Sequence, residues 1–272
     1  MPDQYGVIGN PVAHSKSPRI HAEFARQTGQ DLVYEALLAP RDAFVATADA
    51  FRGRGGRGLN VTLPFKGEAY RYATALSARA RAAQAVNTLR FDADAIYGDN
   101  TDGAGLVQDL LHNLGCTIAA RRLLLLGAGG AARGVIEPLL LQHPAQFVLA
   151  NRTPETARRL AQDAGGALEA CSYAALAGRQ FDLVVNATSA SLSGELPPLP
   201  AHVFARGALA YDMMYGEGET AFLAFARSQG AARLADGLGM LVEQAAESFF
   251  VWRGLRPDSA AVLKLLRQSQ HG

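Results

Sequence analysis

Four short segments of this chain carry polar residues that neither core packing nor ordinary loop chemistry calls for. They are His14-Ser15-Lys16-Ser17-Pro18, Asn60-Val-Thr62-Leu-Pro-Phe-Lys66, Ala85-Val-Asn87-Thr88 and Gly98-Asp-Asn100-Thr-Asp102-Gly103. Together they offer hydroxyls, side-chain amides, an ammonium and a carboxylate, a set suited to a polyhydroxylated carboxylic acid. Lys66 and Asp102 supply the ammonium and the carboxylate of this set. Among 26 basic residues only Lys16, Lys66 and Lys264 are lysines. Lysine changes protonation state in a suitable setting and arginine does not, so a lysine retained in an arginine-rich chain fits an acid/base role. Positioned proton transfer is worth roughly 10²–10⁴-fold in rate. The plainer alternative is a surface ion pair contributing about 0–1 kcal/mol. Ser15 has no capping role in the sequence, which makes its hydroxyl a ligand candidate. Ser17 precedes Pro18 and reads both as a ligand and as an N-cap with proline at the first helical position.

A second constellation is the turn Gly127-Ala-Gly-Gly-Ala-Ala132, fed directly by the apolar strand Leu123–Leu126 and followed by a helix-forming run. In G-x-G-x-x-A the first glycine allows a tight turn and the second lets backbone approach a pyrophosphate. The last small residue lets helix and strand pack closely, with the helix N-terminus facing the phosphates. The setting between strand and helix separates this turn from a chance glycine-rich hexamer. It points to a nicotinamide dinucleotide and hence to an oxidoreductase. The next strand ends at Asn151-Arg152-Thr153, 24 residues after Gly127 at Asn151. An NAD site places Asp or Glu near this point. A guanidinium with neutral hydrogen-bonding neighbours suits a 2′-phosphate instead, which favours NADP over NAD. The competing reading of Arg152 is a solvated loop arginine.

Short β-branched or apolar runs alternate with helix-length segments, the pattern of an α/β fold. In the first hundred residues strands are expected near Tyr5–Ile8, Leu32–Leu38 and Gly58–Val61, with helices near Pro18–Gln27 and Arg41–Arg52. A hairpin follows, with strands near Val86–Phe91 and Ala95–Gly98 turning at Asp92–Asp94. After a helix near Ala104–Leu114, strands are expected near Leu123–Leu126, Phe147–Ala150, Leu183–Asn186, Ala208–Asp212 and Ala232–Ala235. This is the doubly wound arrangement of a dinucleotide domain. Helices near Met240–Arg253 and Ser259–Gln268 close the chain and are expected to return to the N-terminal domain. The division expected is 1–102 with 238–272 for substrate and 103–237 for the Rossmann-like dinucleotide domain.

Composition narrows the class. The 272 residues, 49% apolar and 19% charged with net charge +1, suit two globular cores and give no electrostatic pull toward nucleic acid or membrane. No apolar run approaches the ~18 residues of a membrane span, and the N-terminus has no leader-like pattern. Cys116 and Cys171 are isolated and suit a reducing, cytoplasmic setting. The six histidines form no metal-ligand spacing, so no metal site is expected.

The segments SxSP, NVTxPFK, AVNT, GDNTDG, GAGGAAR, NRT, NATS, YDMMY and DGLGMLVEQAA occur together in order and span most of the chain. In this the sequence closely resembles shikimate dehydrogenase. The resemblance implies NADP-linked interconversion of 3-dehydroshikimate and shikimate, in the shikimate pathway of aromatic amino acid biosynthesis, by a monomer or homodimer. It implies Lys66 and Asp102 as the catalytic pair, and Ser15, Ser17, Thr62, Asn87 and Gln244 as substrate ligands. Tyr215, at the end of the Asp212-Met-Met strand, is expected as a further substrate contact. Gly127, Ala128, Gly129, Gly130, Ala131, Asn151, Arg152 and Thr153 would hold the dinucleotide, with Thr188, Met213 and Gly237 on its nicotinamide side. The sequence departs from the family in two places. Thr156 stands where many members carry a second basic residue; either Arg158 or Arg159 substitutes for it, or the preference for NADP is weaker than usual. No glycine follows soon after Thr188-Ser189, which leaves the shape of that loop open. A relative that also oxidises quinate, with NADP or NAD, is the nearest alternative. A non-catalytic metabolite sensor would leave Lys66 and Asp102 unexplained, and a structural NADP-binding partner would leave the polar substrate constellation unexplained.

Overall fold

A computed structural model describes residues 1–188, 195–216 and 218–269. The loop beyond Thr188, whose shape the sequence left open, lies outside the described residues. The chain divides into two compact units, Met1–Gly105 with Val242–Gly272, and Leu106–Leu241.

The first unit is built on a six-stranded sheet of β1 (Asp3–Gly9), β2 (Leu32–Leu38), β3 (Gly56–Val61), β4 (Ala75–Leu76), β5 (Thr88–Phe91) and β6 (Ile96–Asp99). Its order is β2-β1-β3-β5-β6-β4. Strand β1 runs parallel to β2 and β3, whereas β5 is antiparallel to both β3 and β6. The parallel pairs need helical crossovers, supplied by α1 (Ser17–Thr28) and α2 (Phe44–Gly53). Helix α1 ends where Gly29 takes the left-handed conformation at φ 63°, the usual place for glycine at a helix C-terminus. The core gathers Ile8, Phe44, Phe51, Leu59, Phe65 and Leu89. Two short helices, α3 (Lys66–Tyr72) and α4 (Ala78–Ala83), and the two-residue β4 did not register in the sequence. Each is too short for a 3.6 or 2.0 periodicity to emerge.

The second unit is a six-stranded, all-parallel sheet of β7 (Arg122–Leu126), β8 (Gln146–Ala150), β9 (Glu169–Cys171), β10 (Phe181–Asn186), β11 (Phe204–Asp212) and β12 (Arg233–Ala235). Its order, β12-β11-β10-β7-β8-β9, is the doubly wound one, reversing direction between β7 and β10. Alternate side chains of one strand go to opposite faces. Leu123 and Leu125 therefore join one core cluster and Leu124 and Leu126 the other. Both faces are covered, which is why these strands read as continuous apolar runs. The covering helices include α6 (Gly130–Leu140), α7 (Pro154–Asp163) and α8 (Ala221–Ser228).

The single helix expected near Ala104–Leu114 is α5 (Asp102–Gln108) continued by a π-helical turn, Asp109–Asn113. Asp109 is buried in that turn and accepts hydrogen bonds from the Tyr211 hydroxyl at 2.6 Å and Asn113 Nδ2 at 2.9 Å. Helix α9 (Leu238–Arg253) passes from the second unit into the first at Val242. Its far end packs on the first sheet, with Trp252 stacked on Tyr5 at 4.6 Å and donating to the Leu89 carbonyl at 2.9 Å. Helix α10 (Ser259–Gln268) follows, capped by Asp258, which accepts from the Ala261 amide.

Candidate active site

Sheet register brings the polar segments of the first unit together. Asn60 of β3 lies opposite Thr88 of β5, and Thr88 lies opposite Asp99 of β6. Just before β5, the Asn87 amide donates to the Asp99 carbonyl at 3.0 Å and its carbonyl accepts from the Val61 amide at 2.8 Å. With its backbone stitched on both sides, Asn87 aims its side chain at the turn after β6. Its Nδ2 lies 2.8 Å from Asp102 Oδ1, 2.9 Å from Thr101 Oγ1 and 3.2 Å from Gln244 Oε1. Two amide hydrogens are thus shared among three acceptors. Asn87 Oδ1 accepts from the Thr101 amide and the Thr88 hydroxyl, both at 2.9 Å.

Lys66 opens α3, and its carbonyl accepts from the Val86 amide at 2.9 Å. Its ammonium donates to Asp102 Oδ2 at 2.6 Å, with the two side chains 28% and 11% exposed. A charge-assisted hydrogen bond of this length is among the stronger kinds. The Asp102 carboxylate therefore holds Lys66 with one oxygen and Asn87 with the other, and the ammonium retains access to solvent.

Behind this pair lies a buried polar layer. Asn60 Nδ2 reaches Ser248 Oγ at 2.9 Å, Thr88 Oγ1 at 3.2 Å and the Asn87 carbonyl at 3.2 Å, while its Oδ1 accepts from the Tyr34 hydroxyl at 2.7 Å. Ser248 donates to the Gln244 carbonyl one helical turn earlier, at 2.9 Å. Tyr34 stacks on the fully buried His21 ring at 4.3 Å. Among the described residues neither nitrogen of that ring meets a hydrogen-bond partner, and burial lowers its pKa to about 3, so the imidazole is neutral. Asn60 and Thr101 sit in segments that the sequence singles out, but the sequence gives neither a role. Ser248 has no such signal, although it lies four positions after Gln244 on one helix face.

The other expected substrate residues are placed as follows. Ser17 is buried but is the first residue of α1, not its cap; Lys16 holds the cap position without a side-chain bond. The capping contact comes instead from Ser15, whose Oγ accepts from the Ser17 amide at 3.2 Å. Ser15 thus has the local role that the sequence denied it, because α1 begins at Ser17, one residue earlier than Pro18 in the first helical position would place it. Thr62 is half-buried after β3, its methyl filling space that a Cβ on Gly9 would enter at 2.4 Å. Tyr215 belongs to the second unit, where burial pushes its phenol pKa up.

In the second unit the glycine-rich turn sits where the sheet reverses direction. Gly127 follows β7 at φ 96°, and a Cβ there would approach Thr188 Cγ2, beyond β10, to 2.8 Å. Gly129 caps α6 with no side-chain hydrogen bond, and among the described residues nothing lies within 4 Å of a Cβ built on Gly129 or Gly130. Ala128 and Ala131 are half-buried beside them. An uncapped helix N-terminus with open space over two glycines fits a dinucleotide pyrophosphate. Asn151, Arg152 and Thr153 follow β8, with Asn151 Nδ2 donating to the Thr153 carbonyl at 3.0 Å and Arg152 exposed. Arg158 pairs with Glu155 at 2.6 Å on the surface, and Arg159 is exposed.

Thr188, Met213 and Gly237 follow β10, β11 and β12 along the same edge of the sheet. The Met213 amide donates to the Asn186 carbonyl at 2.9 Å, and a Cβ on Gly237 would meet the Met213 carbonyl oxygen at 2.1 Å. Asn186 and Asp212, both fully buried, brace these loops. Asn186 accepts from the Thr188 hydroxyl at 2.7 Å and donates to Asp212 Oδ1 at 3.1 Å. Asp212 in turn accepts from the Met214 amide and the Thr220 hydroxyl. These two bracing residues were also not named from sequence, although each ends an expected strand.

Among the described residues no group of three or more His, Cys, Asp or Glu is arranged to hold a metal ion, and no helix is long and apolar enough to cross a membrane.

Comparison with known proteins covers the chain almost end to end. Residues 7–89 match the shikimate dehydrogenase substrate binding domain, 109–193 match shikimate/quinate 5-dehydrogenase, and 237–267 match the shikimate 5′-dehydrogenase C-terminal domain. The chain is 64% identical over 272 residues to shikimate dehydrogenase (NADP(+)) of Nitrosospira multiformis, covering 99% of this chain and 98% of that protein. It is 60% identical over 275 residues to the enzyme of the same name from Aromatoleum aromaticum, covering 99% of each. Among solved structures it is similar to Thermus thermophilus shikimate 5-dehydrogenase in complex with NADP(H) and shikimate. That likeness has 34% identity and a TM-score of 0.87, covering 98% of this chain and 99% of the other.

Proposed function

This chain belongs to the shikimate dehydrogenase family, and from that premise we propose how its residues carry out the NADP-linked interconversion of 3-dehydroshikimate and shikimate. It is an NADP-dependent oxidoreductase of the shikimate pathway, which leads to the aromatic amino acids. The bound nicotinamide supplies hydride in the reductive direction and accepts it in the oxidative one. Lys66 holds the proton that passes to the substrate oxygen on reduction and takes it back on oxidation. Asp102 keeps the ammonium in place through its 2.6 Å contact and accepts a hydrogen bond from the reacting hydroxyl. Asn87 and Gln244, already bonded to one another at this pair, bind neighbouring hydroxyls. Ser15, Ser17 and Thr62 bind the remainder of the substrate, the two serine hydroxyls on its carboxylate, and Tyr215 adds a further contact.

Gly127–Ala131 and the uncapped amides of α6 would hold the pyrophosphate of the dinucleotide. Asn151, Arg152 and Thr153 would receive its 2′-phosphate, and Thr188, Met213 and Gly237 would line the nicotinamide side. The substrate-binding role falls to the first unit and the NADP-binding role to the second. We place the enzyme in the cytoplasm as a monomer or homodimer; its two cysteines are free thiols, which suits a reducing compartment.

The observation that carries this reading is the Lys66–Asp102 pair, partly open to solvent and fixed on its carboxylate side by Asn87. Steady-state rates with shikimate and quinate, each with NADP and with NAD, test it. Shikimate with NADP is expected to give the highest kcat/KM. No turnover with that pair would overturn the assignment, and equal rates with quinate or NAD would favour the broader-specificity relative.

A further inference from the structure

Asp102 and Gln244 come from distant parts of the chain, one from the turn after β6 and the other from α9. One guanidinium ties both supports together. Arg79, in the first turn of α4, grips Asp99 bidentately, Nε on Oδ1 and Nη2 on Oδ2, each at 2.7 Å. Its Nη1 donates to Glu247 Oε1 at 3.1 Å, and Glu247 stands three residues past Gln244 on α9, on the same helical face. Asp99 is almost fully buried, and its Oδ1 also accepts from the Ser77 hydroxyl at 2.5 Å and the Asn100 amide at 2.7 Å. Burial alone would raise the Asp99 pKa. The Arg79 guanidinium, with Ser77 and the Asn100 amide, outweighs burial and holds the carboxyl below its ordinary value. From Asp99 the chain of contacts continues to the catalytic carboxylate. Asn100 Oδ1 accepts from the Asp102 amide at 3.2 Å, and Asn100 Nδ2 donates to the Ala85 carbonyl at 3.1 Å, two residues before Asn87.

We propose that Arg79 is a positioning residue for catalysis, fixing through Asp99 the turn that presents Asp102 to Lys66 and through Glu247 the helix that presents Gln244. This inference rests on the reading of Lys66 and Asp102 as the proton-handling pair. A planar fork is required because three donors must reach two carboxylates in fixed directions, which an ammonium cannot do. A displacement of about 1 Å at a reacting group costs on the order of 10²-fold in rate, so the grip matters even though Arg79 itself touches no reacting atom.

The test compares Arg79→Lys, Arg79→Ala and Glu247→Gln with the wild type in kcat, KM for shikimate, KM for NADP and thermal unfolding. Arg79→Lys is expected to lower kcat about tenfold or more, and Arg79→Ala further, with KM for NADP changed by less than about twofold. Millimolar guanidinium ion is expected to restore part of the kcat lost in Arg79→Ala. Glu247→Gln leaves the grip on Asp99 in place, so it should raise KM for shikimate more than it lowers kcat. A lowered unfolding temperature with unchanged kcat and KM for shikimate in both arginine variants would overturn the proposal. Should Arg79→Ala not fold, Arg79→Lys alone decides between the two outcomes. Wild-type turnover of shikimate with NADP is measured first; its absence would sink the functional reading, whereas an active wild type with indifferent variants sinks only the role of Arg79.

Discussion

The two ligand sites proposed for this chain are made of different materials. In the first unit the site is side chains holding side chains: Lys66 on Asp102, Asp102 on Asn87, Asn87 on Thr101 and Gln244. In the second unit it is largely backbone, a turn at Gly127 and the uncapped amides of α6 over Gly129 and Gly130. Polar side chains there, Asn186 and Asp212, stand behind the loops and brace them. The difference has a physical root. A diphosphate needs several donors at close range and little chemistry, which amides on a helix end supply. A proton transfer needs groups that change charge, and only side chains do that. The two sites should therefore fail differently: loss of a functional group disables the first, and loss of close approach or of a phosphate contact weakens the second.

The sharpest break of this contrast is Lys66→Ala. Removing the ammonium takes away the proton donor and leaves Asp102 without its counter-charge. The expected result is a fall in kcat of at least about 10²-fold with a modest change in KM for shikimate and none in KM for NADP. A kcat near that of the wild type would exclude Lys66 from proton transfer. Next in size is Arg152→Ala in the second unit. It is expected to raise KM for NADP about tenfold while leaving KM for NAD and kcat nearly unchanged, since one charge-assisted phosphate contact is lost. Similar effects on both dinucleotides would refute the 2′-phosphate contact.

The smallest effect concerns stability. The buried neutral His21, with its pKa lowered to about 3 by burial, resists protonation when folded, whereas an unfolded chain takes up the proton near the ordinary histidine pKa of about 6.5. Below that pH the unfolded state binds more protons, so this residue subtracts stability as pH falls from about 6.5 toward 3, by up to about 1.4 kcal/mol per pH unit. Urea midpoints between pH 4 and 7 should show His21→Phe losing less stability on acidification than the wild type, with similar stability at pH 7. Parallel pH dependences would show that the ring finds a partner or solvent when protonated.

Much of the second unit was legible because its signals are local. Strands Leu123–Leu126 and Phe147–Ala150 sit within a residue of β7 and β8, since continuous apolar runs mark strands buried on both faces. The glycine turn declared itself by position between strand and helix. Less was legible in the first unit. Helix α3, which begins at Lys66, was missed because seven residues ending in a tyrosine-rich run show no helical stripe. The π-helical turn at Asp109–Asn113 was read as plain helix, since an extra residue in a turn leaves no mark on a short apolar pattern. The capping role of Ser15 was denied it because caps depend on backbone direction one residue either side.

Residue types and short-range order were settled by the sequence alone: a lysine and a carboxylate fit for proton transfer, a glycine turn fit for a diphosphate, and an arginine where NAD enzymes carry an acid. Such features depend on chemistry within a few residues of chain. What tertiary structure decided is which of these groups meet. Asn87 joins Gln244 across 157 residues, Asn60 joins Ser248 across 188, and Arg79 joins Glu247 across 168. Contacts at such separations are set by sheet register and by the return of α9 to the first unit, neither of which has a local signature. The lysine and the carboxylate stand out in the sequence, but the buried frame that brings Lys66 and Asp102 together exists only in the fold.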